Sequence, residues 1–206
     1  MKKIIFATGN KAKIAQMRYI VEYFKFPVEI INGKEVYGSD VSYEEIGDTV
    51  AEVALNGALE VAKKISLPVI AEDTDLRIEA LKGKPGIRAG EFLKNYGREG
   101  ILDKMKDATD REAVLSSAVV YATPEGESKI FINSIEGEIA KEEKYGDYPD
   151  WIAPNLDNSF GGGYNAIFVP KGWNKTLAEI SPAKAIPWSY REKNFINVIK
   201  YVLTLK

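Results

Sequence analysis

The 206-residue chain contains no cysteine and no histidine. The first absence excludes disulfide frameworks, thiolate metal sites and thiol nucleophiles. The second excludes serine–histidine and cysteine–histidine catalysis, imidazole-bound zinc and the commonest general base. Long apolar runs are missing too: nothing approaches the roughly 18–20 residues of a membrane span. The opening Met1–Ala7 is too short an apolar run for a signal peptide, so a cytoplasmic protein is expected. Neither sign of charge dominates. With 28 basic and 30 acidic residues the net charge is -2, and no basic stripe marks a nucleic-acid surface. Chemistry must therefore run on carboxylates, lysine, hydroxyls, backbone amides and a hard cation held by oxygen.

What is present is enough for a sizeable core. Hydrophobic residues make up 45% of the chain, which reads as one globular domain over 1–206 with two lobes. Lys3–Ala7 is a short apolar strand that runs into the turn Thr8-Gly9-Asn10 and then a helix with Ile14, Met17, Val21 and Phe24 on one face. Pro27 ends that helix, and Val28–Ile31 reads as a second strand. The clearest helix follows: Val50, Val53, Ala54, Gly57, Ala58, Val61, Ala62 and Ile65 share one face, with Asp48 or Thr49 as the N-cap. Leu67–Ala71 reads as a buried strand ending in Glu72-Asp73-Thr74-Asp75, with a second, alternating strand through Leu76, Ile78 and Ala80 up to the turn Gly83–Gly86. Helical stretches at Phe92–Tyr96 and Glu99–Lys106 precede a hairpin, Ala113–Thr123 and Ser128–Ile139. A polar, aromatic loop from Glu142 to Tyr164, a short strand at Ile167–Pro170 and a helix facing inward through Phe195, Ile199, Val202 and Leu203 complete the chain. The alternation of strands and helices around a hairpin predicts an α/β fold with a mixed sheet and flanking helices.

Two places carry chemical signals. A strand, a glycine turn and a helix N-terminus at Thr8–Lys13 aim backbone amides and a dipole end at an anion, with Lys11 and Lys13 adding charge. Three carboxylates within four residues, Glu72, Asp73 and Asp75, repel one another unless a divalent cation resolves the conflict. Each alone has a commoner meaning, an ordinary strand–helix turn and an acidic strand end. Together, at the carboxyl ends of strands in an open sheet, they converge on one crevice. Glu52 at the start of the long helix is a third element. The stretch with Lys175, Glu179, Lys184, Ser189, Tyr190 and Arg191 is a fourth, Arg191 having the planar fork suited to phosphate or a base edge. Tyr164, Trp188 and Tyr190 are candidate stacking surfaces for a nucleobase.

These motifs, in this order, resemble the inosine triphosphate pyrophosphatase family over essentially the whole chain. Thr8-Gly9-Asn10-Lys11-Ala12-Lys13 is similar to the family's opening S/T-x-N-x-x-K, and Glu52 falls where the family has its acidic metal-binding helix. Leu67–Thr74 with Leu76, then Ala80–Gly86, resembles the central PV-x-x-E/D-D-S/T…L-x-G-x-PG signature. Gly163–Gly172, Thr176–Glu179 and Ser189-Tyr190-Arg191 follow in the family's order. The departures fall in the base-reading half. Asn165-Ala166 replaces Asp-Pro, Gly162 stands where an aromatic is common, and Tyr190 replaces histidine. Arg88–Glu91 differs from the bacterial Ser-Ala-Arg, and the loop 142–160 is longer.

The resemblance implies a two-lobed mixed α/β fold with a central cleft, a homodimer, and a metal-dependent hydrolase that cleaves a nucleoside triphosphate to monophosphate and pyrophosphate. Its residue roles follow position by position. Glu52, Glu72 and Asp73 are expected to hold magnesium, or manganese. Thr8, Gly9, Asn10, Lys13 and Thr74 are expected at the phosphates. Asp73 activates water, with Glu72 and Lys13 beside it in the catalytic set. Tyr164, Asn165, Lys184, Ser189, Tyr190 and Arg191 are expected around the base. The rival readings are a nucleotide-binding homologue that has lost catalysis, and a pyrophosphatase for modified pyrimidine nucleotides of the septum-formation-inhibitor type.

Overall fold

A computed structural model describes residues 1–147 and 163–205. The greater part of the aromatic loop, with Gly161 and Gly162, therefore lies outside the described residues. Among the described residues a seven-stranded mixed sheet has the order β2-β1-β3-β5-β6-β7, with β4 paired to β3. Its strands are β1 (Lys2–Phe6), β2 (Val28–Asn32), β3 (Val69–Ile78), β4 (Lys84–Gly86), β5 (Glu112–Ala122), β6 (Ser128–Ile139) and β7 (Phe168–Pro170). The helices are α1 (Lys11–Tyr23), α2 (Gly33–Tyr37), α3 (Val50–Ile65), α4 (Ala89–Tyr96), α5 (Glu99–Lys104), α6 (Pro182–Ala185) and α7 (Glu192–Thr204).

The chain divides into two compact units. One comprises Met1–Asp73, Ser117–Asn133 and Arg191–Lys206, the other Thr74–Ser116 and Ser134–Tyr190. In the first, β1 pairs in parallel with β2 and β3, and α3 lays its small apolar face on them. Ala54, Ala58, Val61 and Ala62 bury against Ile5, Val69, Ala71, Ala118 and Val120. Alanines on that face let the helix approach the sheet closely. Phe6 and Phe195 of α7 meet edge to face at 5.8 Å. Gly57 on α3 is obligatory for another reason: a Cβ there would strike the Tyr43 ring at 2.3 Å. In the second unit, β4 pairs antiparallel with β3 through Leu76–Gly86 and Ile78–Lys84. Arg111 ties the start of β5 to the end of β6, donating to the carbonyls of Met105, Ile139 and Ala140.

Two sequence expectations need correcting. The buried face of α1 is Ile14, Met17 and Ile20, whereas Phe24 lies past the helix and is exposed. The acidic tetrapeptide does not end a strand. It lies within β3, whose residues from Val69 to Leu76 are all buried. Burial on both faces erases the period-2 contrast that marks a half-exposed strand, so one strand reads as two.

Candidate active site

In the first unit the chain enters α1 through Asn10. Its side-chain oxygen accepts from the amides of Ala12 at 2.9 Å and Lys13 at 3.3 Å, and the Thr8 hydroxyl accepts from the Asn10 amide at 3.1 Å. Thr8 and Asn10 thus build the helix start, and Gly9 is open enough that a Cβ would meet nothing within 4 Å. From the first turn Lys13 reaches across to β3. Its ammonium lies 2.7 Å from the Glu72 carboxylate and donates to the Glu72 carbonyl at 2.9 Å.

Glu72 is the centre of a buried polar network. Ser117 on β5 donates to it at 2.8 Å and the Arg191 Nε lies 3.1 Å away. Arg191 also donates to Gln16 of α1 at 2.7 Å, while Asn194 of α7 donates to the Ser117 carbonyl at 2.8 Å. Burial favours the neutral acid at Glu72. The charges of Arg191 and Lys13, with hydrogen bonds from Lys13 and Ser117, outweigh it and hold the carboxyl down at about 2. Asp73, the next residue, is 8% exposed. Tyr43 completes the surroundings. Its phenol is pushed above its ordinary value by burial, then by the negative charges of Asp73 and Glu72.

Glu52 does not join them as expected. It occupies the third position of α3, and its carboxylate accepts from the amides of Asp48 at 2.9 Å and Thr49 at 3.1 Å, while the Thr49 hydroxyl accepts from the Glu52 amide. This is a capping box, and those backbone bonds lower the carboxyl's pKa. Among the described residues no group of three or more acidic side chains is placed to hold a metal ion. The donor set fits a hard cation that takes one or two carboxylates and completes its shell with phosphate oxygens and water. It does not fit a closed protein cage.

Arg191 also departs from expectation. Instead of offering its fork to a base, the guanidinium is 5% exposed and engaged with Glu72 and Gln16. The remaining base candidates lie in the second unit, where Thr74 and Asp75 are also buried on β3. Asp75 pairs with the half-exposed Arg77 at 2.8 Å, and burial raises its pKa despite that pairing. Tyr164 is buried, and its hydroxyl donates to the Ala89 carbonyl at 2.8 Å. The neighbouring Asn165 carbonyl accepts from the Ala178 amide at 3.1 Å. Burial, then Tyr190, raises the Tyr164 phenol. Ser189 and Tyr190 are buried, while Lys184 on α6 is exposed. Trp188 packs on Trp173 with ring centroids 5.7 Å apart. Glu179 caps its own turn by accepting from the Thr176 amide.

Sequence reasoning missed Tyr43, Gln16, Ser117 and Asn194 around Glu72, and Arg98 in the second unit. Gln16 and Ser117 stand in no charged or glycine-rich motif, and the charged neighbours of Tyr43, Arg98 and Asn194 match no recognised signature. The Thr49-x-x-Glu52 spacing, in contrast, was a readable capping signal.

The model of the Ham1 family matches residues 4–201. The chain belongs to the Ham1 family. Among its relatives, the dITP/XTP pyrophosphatase of Methanopyrus kandleri is 33% identical, over 93% of this chain and 91% of that protein. The dITP/XTP pyrophosphatase of Thermococcus kodakarensis is 33% identical, over 96% and 97%. The solved Ham1 protein of Coxiella burnetii superposes over 100% of both chains, with a TM-score of 0.76 at 25% identity. That of Staphylococcus aureus covers 98% of both, with a TM-score of 0.71 at 29% identity. The mixed α/β fold of this chain is that of its Ham1 relatives.

Proposed function

We propose that this chain is a divalent-metal-dependent nucleoside triphosphate pyrophosphatase, hydrolysing the α–β phosphate bond of non-standard purine nucleotides such as dITP and XTP. The observation that carries the reading is Glu72, a buried carboxylate kept ionised by Lys13 and Arg191, in direct sequence with Asp73 and one lysine's reach from the turn at 8–10. Such a site is prepared for a polyanion that arrives with its own cation.

Lys13 exchanges part of its bond to Glu72 for a phosphate oxygen, and the positive dipole end of α1 favours the same group. Glu72 and Asp73 would hold magnesium, or manganese. Glu52, engaged in its capping box, is left out of that set. Held there, such an ion would neutralise charge on the phosphate oxygens and lower the pKa of water. Asp73 orients and deprotonates the attacking water. The new bond forms at the α-phosphorus, the bond to the bridging oxygen breaks, and pyrophosphate leaves with the electron pair. Tyr164, Asn165, Ser189 and Tyr190 frame the base, with the exposed Lys184 as a mobile donor to a 6-oxo group. Asn165 both donates and accepts, which broadens base preference relative to an aspartate.

The test is product analysis with magnesium on dITP, XTP and the four ordinary nucleotides. Monophosphate and pyrophosphate in equal amounts, fastest from dITP or XTP, is the expected result. No turnover of any substrate, or diphosphate plus phosphate, overturns the reading. A homodimer belongs to the same proposal and is checked by light scattering.

A further inference from the structure

We propose that Arg98 is a positioning residue for base recognition, clamping the peptide that carries Tyr164 and Asn165. The inference rests on the assignment of Tyr164 and Asn165 to the base. Arg98 follows α4 and is 8% exposed, yet its guanidinium has three partners. It donates to the Gly163 carbonyl at 2.9 Å and to the Tyr145 hydroxyl at 2.6 Å, and its Nε lies 2.9 Å from the Glu143 carboxylate. The Tyr145 hydroxyl in turn donates to Glu143 at 2.5 Å, and the guanidinium carbon lies 5.8 Å from the Tyr145 ring centre. The ring of charge and hydrogen bonds is closed.

The carbonyl it grips is a consequential one. The Gly163 oxygen lies in the peptide plane shared with the Tyr164 nitrogen, so fixing it fixes where the next residue starts. Gly163 holds a φ of +55°, a conformation in which a side chain is strained, so the turn is built for this orientation. The Tyr164 hydroxyl is held separately by the Ala89 carbonyl, at the first residue of α4. The first residue of α4 and Arg98, two residues past its end, thus grip the side-chain tip and the backbone of the same short segment. A lysine at 98 cannot reproduce this, because one ammonium does not present a planar fork to the Gly163 carbonyl and the Tyr145 hydroxyl while facing the Glu143 carboxylate.

The experiment compares Arg98→Met, Arg98→Lys and the milder Tyr145→Phe with the parent protein in two ways. One is the kcat/KM ratio of dITP to dATP. The other is amide hydrogen exchange across 163–167. Arg98→Met is expected to reduce base preference about tenfold or more, through KM, with kcat within about threefold. Arg98→Lys should fall between it and the parent, and Tyr145→Phe should move the same way by less. Exchange at 163–167 should quicken about tenfold while amides of α3 keep the parent rate. A uniform rise in exchange, or a preserved base ratio in folded variants, assigns Arg98 a purely structural role and overturns the proposal. An inactive parent overturns the pyrophosphatase reading, and the exchange measurement still decides for or against Arg98.

Discussion

Two regions of this protein solve the same problem, burying polar groups, by opposite means. Around Glu72 the solution is charge against charge: a buried carboxylate faces Lys13 and Arg191, whose side chains are 16% and 5% exposed. Around Tyr164 it is side chain against backbone: a phenol on the Ala89 carbonyl and a guanidinium on that of Gly163. Within β3 the contrast sharpens further. Glu72 is held strongly ionised, whereas burial raises the pKa of Asp75 despite its pairing with Arg77, which is half in solvent. The lesson is that cations buried with an acid offset the cost of its burial, whereas one left half in solvent does not.

The largest effect is expected at the residue next to that network. Asp73→Asn should lower the rate of pyrophosphate release by about 10²–10⁴-fold, the range for a positioned general base, with the fold intact by circular dichroism. Activity near the parent level would move the base elsewhere. Glu72→Gln comes next. It leaves Lys13 and Arg191 facing a neutral amide, and urea unfolding should show a loss of about 3–5 kcal/mol, as when one partner of a buried pair is removed.

The pH dependence separates the two regions. Because the folded state holds the Glu72 carboxyl below its ordinary 4.5, its contribution is complete above that value and is lost as pH falls toward about 2. Unfolding measured with a chelator present should show this loss in the parent protein and much less of it in Glu72→Gln. Parallel curves would place the acid sensitivity in other carboxylates. The smallest effect belongs to the backbone-bonded region: Tyr164→Phe removes one buried hydrogen bond and should cost about 1 kcal/mol, with no change in acid dependence.

The same contrast explains what the sequence disclosed. The bounds of α3, Val50–Ile65, followed from an uninterrupted apolar face, and the turn at 8–13 and the acids of β3 stood out as two motifs expected in one crevice, though a direct bond from Lys13 to Glu72 was not foreseen. Charged clusters leave marks in a sequence. Backbone carbonyls do not, so Arg98 and its bond to Gly163 had no motif to betray them. Glu52 shows a different ambiguity. A glutamate in the first turn of a helix serves equally well as an outward ligand or as a cap, and here its carboxylate accepts from the Asp48 and Thr49 amides. Arg191 is ambiguous for a related reason. A fork suited to phosphate or a base edge is equally suited to a buried carboxylate, and Glu72 lies 119 positions away in the chain.

The central step is the attack of water at the α-phosphorus. Hydrolysis of dITP in heavy-oxygen water, followed by mass spectrometry of both products, locates the new bond. Label in the nucleoside monophosphate and none in pyrophosphate is the predicted result, placing the attack at the α-phosphorus beside Asp73. Label in pyrophosphate would contradict it.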